Sequence, residues 1–188
     1  MLSDERTQVI TQIHDSPSMA VLVVTGGGAR TLAELTAVPG ASRTILEALI
    51  PYCDASLTEF LQAMPEQAVA SDTAKALATR AYERAAVLKP REGVPVIGVA
   101  CTATLATDRP KKGPHRMHVA VCGAESTKIY SLTLTKGART REAEEQVAGE
   151  LVLVAMAEAC GISTGIAIDL LSDEEILCVE RLAHRGER

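Results

Sequence analysis

The sequence predicts an α/β protein, a three-layer α/β/α sandwich on a mixed sheet, in a single domain over residues 1–188. Three observations predict it. Apolar, strand-like runs alternate with stretches of helical spacing. The runs at 117–122 and 128–135 have so short a connection that they form an antiparallel hairpin, since a parallel pair needs a crossover of about a dozen residues. No internal repeat or low-complexity linker divides the chain.

Residues 4–14 read as a short amphipathic helix ending before Ser16-Pro17. The continuous apolar run 20–24 is a strand that stops at Thr25-Gly26-Gly27-Gly28, and 29–37 is a helix ending at Val38-Pro39-Gly40. Residues 44–52 fit a helical face through Ile45, Leu46, Leu49 and Ile50, yet their length and flanks also permit a strand. Asp54 caps a helix to about Ala63, and Ser71 opens the clearest helix, 72–88. A strand at 94–100 and a polar loop at 107–114 precede the hairpin. Its second strand alternates, with Tyr130, Leu132 and Leu134 on one face. A long helix at 140–160 has an acidic first half; a strand at 164–171 and a closing helix at 173–184 follow.

Of the 188 residues 47% are hydrophobic and 23% charged, with net charge −5, so the composition is that of a folded globular chain. The acidic balance argues against a nucleic-acid partner. Phe60, Tyr52, Tyr82 and Tyr130 are the only aromatics, too few for base-stacking platforms. No apolar run approaches the roughly 18 residues of a membrane span, and the first residues are too polar for a signal peptide. Five cysteines, none closer than 18 residues to the next, exclude CxxC pairs and predict small core residues. The expected compartment is the cytoplasm, with no membrane partner, metal or cofactor.

The sharpest chemical feature is Thr25-Gly26-Gly27-Gly28-Ala29-Arg30 at a strand-to-helix junction. Glycines let backbone approach a ligand, and the free N–H groups of the next helix favour an anion. Neither nucleotide fingerprint is complete there. Cys101-Thr102-Ala103-Thr104, read as a loop ending the next strand, adds two hydroxyls where α/β sheets bind ligands. Gly161-Ile162-Ser163-Thr164-Gly165 spells GxSxG, but a helix precedes it and a strand follows, the reverse of a nucleophile elbow. His115 and His118 sit beside Lys111, Lys112 and Arg116 with no carboxylate cluster, which suggests a solvated basic loop able to hold a phosphate rather than a metal pair. Glu142, Glu144, Glu145 and Glu150 read as a solvated helix face.

The segment from Thr25 to Ser42 resembles the CinA C-terminal domain family, which comprises competence/damage-inducible proteins and nicotinamide-nucleotide amidohydrolases. Leu35-Thr36 and Val38-Pro39-Gly40-Ala41-Ser42 match its L-T-x-V-P-G-A-S run, and Tyr52 matches the tyrosine ending the next strand. Val69-Ala70-Ser71, Val99-Ala100-Cys101-Thr102, Gly113-Pro114 and Lys136-Gly137-Ala138-Arg139 follow in the family's order, over roughly 20–160. Residues 161–188 look like a C-terminal addition.

The resemblance implies hydrolysis of the carboxamide of nicotinamide mononucleotide to nicotinate mononucleotide and ammonia. It puts the nucleophile on Thr25, a second hydroxyl on Thr102 and the phosphate-contacting arginine on Arg139. Gly26, Gly27 and Gly28 would supply backbone donors, and Tyr52 and Thr104 would contact substrate. It also implies a homodimer or higher homo-oligomer. The sequence departs from the family at Val24, where a glutamate stands, at Leu57, where a lysine stands, and over 103–107; the family's two glycines fall on Gly28 and Ala29. An activated hydroxyl needs a base. His115, His118 and Asp108 are the remaining candidates nearby. The alternative is a catalytically impaired module that binds a phosphate-bearing nucleotide as a sensor or partner subunit.

Overall fold

The computed structural model describes residues 2–109 and 111–182. Its strands are β1 (Met19–Thr25), β2 (Ile45–Leu49), β3 (Val96–Thr104), β4 (His115–Cys122), β5 (Ser126–Leu134) and β6 (Leu177–Leu182), in one sheet of order β2-β1-β3-β4-β5-β6. β1 pairs parallel with β2 and β3, and the remaining pairs are antiparallel. The mixed sheet and the β4–β5 hairpin are as expected. β1 is apolar almost throughout because both its edges are paired and both its faces covered.

Helices fill the two outer layers. On one face α1 (Asp4–Asp15), α2 (Ala29–Ala37) and α5 (Arg141–Ala159) bury Ile10, Ile13, Leu35, Val147, Leu151 and Val152 against Leu22, Val99, Cys101, Val119 and Leu132. On the other, α4 (Ser71–Leu88) and α3 (Asp54–Leu61) bury Leu57, Leu77, Ala78 and Ala81 against Val21, Val23, Ala100 and Ala120. Odd and even strand positions thus serve different layers.

The ambiguous stretch at 44–52 is strand β2. Cys101, Thr102, Ala103 and Thr104 are not a loop but the last four residues of β3, held by Met117 and Arg116 across the ladder. The C-terminal stretch departs most. Residues 164–171 do not form a strand; they run as an extended strap in which Ile162, Ile166, Ile168 and Leu170 pack on the α1/α5 layer while alternate residues face solvent. Alternation reports half-burial of an extended chain, and here no neighbouring strand supplies a ladder. Nor is 173–182 helical. β6 pairs with the otherwise open edge of β5, a tertiary demand that overrides the helical spacing. Residues 183 and 184 of the expected helix lie outside the described residues.

Helix α4 packs its backbone directly against β3. A Cβ on Gly98 would overlap the Ala78 carbonyl oxygen and the Tyr82 amide nitrogen, both backbone atoms that cannot swing aside. Gly98→Ala is expected to lower unfolding free energy by about 1–3 kcal/mol or more, read by chemical denaturation. A variant as stable as wild type would show that α4 slides freely on the sheet.

Candidate functional site

The glycine turn is shaped by what lies beneath it. Gly26 and Gly28 have φ of +74° and +89°, and a Cβ on Gly26 would overlap the Ala103 carbonyl oxygen. Gly28 caps α2 without a side chain. Glu145 of α5 does that work: its carboxylate accepts from the Gly28 amide at 3.0 Å and the Arg30 amide at 3.1 Å. Arg141 ties the turn to the loop after β3, donating to the carbonyl oxygens of Gly26 at 2.8 Å and Ala106 at 3.3 Å. Beside the turn lies a cavity of about 370 Å³ lined by Val24, Gly26, Gly27, Tyr52, Arg141 and Glu145 among others. The Tyr52 side of it is open, that residue being 68% exposed.

Thr25 and Thr102 are brought together. They are register partners of β1 and β3, on the α4 side of the sheet, and the row continues through His118 on β4 and Ser131 on β5. Neither threonine lines the cavity beside the turn. The Thr25 hydroxyl donates to the Pro51 carbonyl at 2.9 Å and that of Thr102 to the Ala68 carbonyl at 2.6 Å. No carboxylate, lysine or imidazole hydrogen-bonds either one among the described residues. Val24 and Leu57 are buried in the two apolar cores. Of the three candidate bases, Asp108 is exposed and His115 faces the α5 layer. His118 alone shares the threonines' face. Its Nδ1 meets the Ser131 hydroxyl at 2.8 Å, and burial, reinforced by Arg116, lowers its pKa, so the ring is neutral at pH 7.

Thr104 accepts from Lys111 Nζ at 2.7 Å. Arg139 forms a two-pronged pair with Glu174 at 2.6 and 2.8 Å, both side chains nearly sealed at 6% and 1% exposure, and also donates to the Asp169 carbonyl. Its fork is therefore spent on the C-terminal strap, and a phosphate there would have to displace Glu174. Cys101 and Cys122 are core residues as expected, whereas Cys53 and Cys178 are exposed.

Of the acidic residues of α5, Glu142 is exposed as expected, but Glu144 and Glu150 are buried and Glu145 is partly so. Glu144 is 0% exposed, taking His115 Nδ1 at 2.6 Å and the Ala106 amide at 2.6 Å, and Glu150 is buried against Arg6. These roles were readable in part, because Glu144 stands on the same helical stripe as Val147, Ala148 and Leu151. Among the described residues no His, Cys, Asp and Glu side chains gather into a group that could hold a metal ion, and no helix is long and apolar enough to cross a membrane.

No family model and no curated protein matches this chain in sequence. Solved structures do match in shape. A competence or damage-inducible protein from Enterobacter asburiae superposes with a TM-score of 0.63 at 13% identity, covering 85% of this chain and 98% of its own. The competence/damage inducible protein CihA from Agrobacterium tumefaciens gives 0.58 at 17%, covering 86% and 94%. A competence-damaged protein (CinA) superfamily protein from Enterobacter cloacae gives 0.59 at 15%, covering 86% and 98%. The chain therefore has the fold of the CinA proteins.

The strap's anchor titrates. Burial raises the Glu174 pKa, but hydrogen bonds from Arg139 and from the Leu171 and Thr135 amides outweigh it and hold the carboxyl at about 2. Between that value and the ordinary carboxyl range the unfolded chain binds a proton that the folded protein does not. The stabilisation is complete at neutral pH and fades as pH falls. Glu174→Gln is expected to cost roughly 2–3 kcal/mol at pH 7, shrinking between about pH 4.5 and pH 2, in denaturant titrations at stepped pH.

Proposed function

We propose that this chain is a CinA-like module, impaired in hydrolysis, that binds a phosphate-bearing pyridine nucleotide beside the glycine turn. The observation that carries it is the state of Thr25. Its hydroxyl proton is donated to the Pro51 carbonyl, and the family's glutamate and lysine positions hold buried Val24 and Leu57. A threonine in that setting has no group to take its proton as it attacks a carboxamide carbon, and so no route to expelling ammonia. The cavity supports the binding half. Its volume lies within the usual range for small-molecule sites of about 300–1,000 Å³, with Tyr52 offering a ring face to a planar heterocycle.

One observation favours the second reading, an active amidohydrolase on nicotinamide mononucleotide. His118, neutral at pH 7, stands opposite Thr102 in the ladder, two strands from Thr25. That would place the base on Thr102 rather than Thr25.

Calorimetric binding and ammonia release from nicotinamide mononucleotide separate the two. Wild type is expected to bind without release, and Tyr52→Ala to bind about tenfold more weakly through lost stacking. Ammonia release by wild type that Thr25→Ala or Thr102→Ala abolishes would establish the hydrolase instead. A wild type that neither binds nor releases would overturn the pyridine-nucleotide reading in both forms.

A further inference from the structure

The loop between β3 and β4 and the start of α5 bring together cations that form no ion pair among the described residues. Lys111 donates to the Thr104 hydroxyl, Lys136 Nζ reaches the carbonyl oxygens of Lys111 and Gly113, and Arg141 reaches those of Gly26 and Ala106. None of the three has an ion-pair partner among the described residues, whereas Arg6, Arg84 and Arg139 elsewhere all hold carboxylates. The nearby acids form no ion pair with them among the described residues. Glu144 is taken by His115 and the Ala106 amide, Glu145 by the α2 amides, and Asp108 and Glu142 are exposed with no ion pair among the described residues. In a chain of net charge −5 these three cations stand beside the glycine turn, whose cavity Arg141 lines together with Glu142 and Glu145.

Like charges held this close repel. Burial lowers the Lys111 pKa and Arg141 lowers it further; Glu144 offsets part of that, and Lys136 and Arg109 add to the repulsion. Three cations fixed by uncharged oxygens keep donors for a further acceptor. A bound anion relieves the repulsion, and a multiply charged one relieves it most.

We propose that Lys111, Lys136 and Arg141 form a seat for a phosphoryl anion carrying two or more negative charges. The inference deepens the nucleotide reading above and rests on it for the neighbouring cavity, but it moves the phosphate contact from Arg139 to this cluster. The phosphoryl group can belong to a nucleotide or stand alone as inorganic pyrophosphate; the charge recognition is shared.

The test is titration calorimetry of the full chain with inorganic pyrophosphate, inorganic phosphate and nicotinamide mononucleotide. Variants are Lys111→Ala, Lys136→Ala, Arg141→Gln and, as a remote control, Arg84→Gln. Wild type is expected to bind pyrophosphate more tightly than phosphate, with affinity falling between about 50 and 200 mM salt. Lys111→Ala and Arg141→Gln should each weaken pyrophosphate about tenfold or more, and Arg84→Gln should not change it. Lys136→Ala, at an exposed position, reads the seat should circular dichroism show either of the other two misfolded. Pyrophosphate binding that is absent in wild type, or equal in wild type and folded cluster variants, overturns the proposal. The two readings fail separately. Nicotinamide mononucleotide bound by wild type, with pyrophosphate bound equally by wild type and Lys111→Ala, overturns the seat and leaves the nucleotide site. Pyrophosphate bound with no nucleotide binding overturns the nucleotide site and leaves the seat.

Discussion

The parallel pairing of β1 with β3, in register from Met19–Val96 to Thr25–Thr102, is the constraint on which the rest of the site depends. It ends β1 at Thr25 beside Thr102, two residues short of the end of β3, so the chain leaving β1 turns directly over Ala103. That closeness is why Gly26 has no room for a Cβ above Ala103, and why Gly28 lies within contact of Cys101 and Val152. It also sets Thr25 and Thr102 side by side. A slip of β1 by one residue would send the Thr25 hydroxyl to the opposite layer from Thr102. Small side chains at the strand ends are therefore required by packing before any ligand is considered.

Helix α5 turns that local geometry into a fixed site. Its carboxylates reach three separate parts of the chain: Glu144 holds His115 and the loop at Ala106, Glu145 caps α2, and Glu150 pairs with Arg6 of α1. Buried carboxylates are costly unless fully paired, so each contact penalises any arrangement that leaves its partner elsewhere. Thr31 adds a hydroxyl bond to the Gly149 carbonyl, which keeps α2 against α5. The long helix thus acts as a clamp across the sheet ends, and Arg141 at its first turn is placed by the same packing.

Where periodicity and turn chemistry agreed, the sequence was legible. The apolar run before Thr25, the helix after Gly28 and the hairpin from Met117 to Leu134 all follow from local patterns, and α4 from its Ala/Leu stripe. The C-terminal stretch was not, because its conformation answers the open edge of β5 and the groove between helices, neither of which is written in the segment itself. At the site, residue types and neighbourhood were readable for Thr25, Thr102, the glycines and Tyr52. Long-range ionic partners were not. Nothing local to Arg139 announces Glu174, and nothing local to Gly28 announces Glu145.

Those two partners change what the glycine turn can mean. An anion arriving at the start of α2 meets amides already held by Glu145, and displacing that carboxylate forfeits hydrogen bonds to a charged group of about 1.5–3 kcal/mol each. The turn's glycines are accounted for by steric overlap at Gly26 and by left-handed backbone at Gly28, so they need no ligand to explain them. What packing does not account for is the neighbouring combination of an open cavity, an aromatic ring at its rim, and lysines and an arginine with no ion-pair partner among the described residues. A core has no use for any of these, and each costs stability through exposed apolar surface or charge repulsion. Tyr52, Lys111 and Arg141, rather than the glycines of the turn, are therefore the residues whose placement the packing of the fold leaves unexplained.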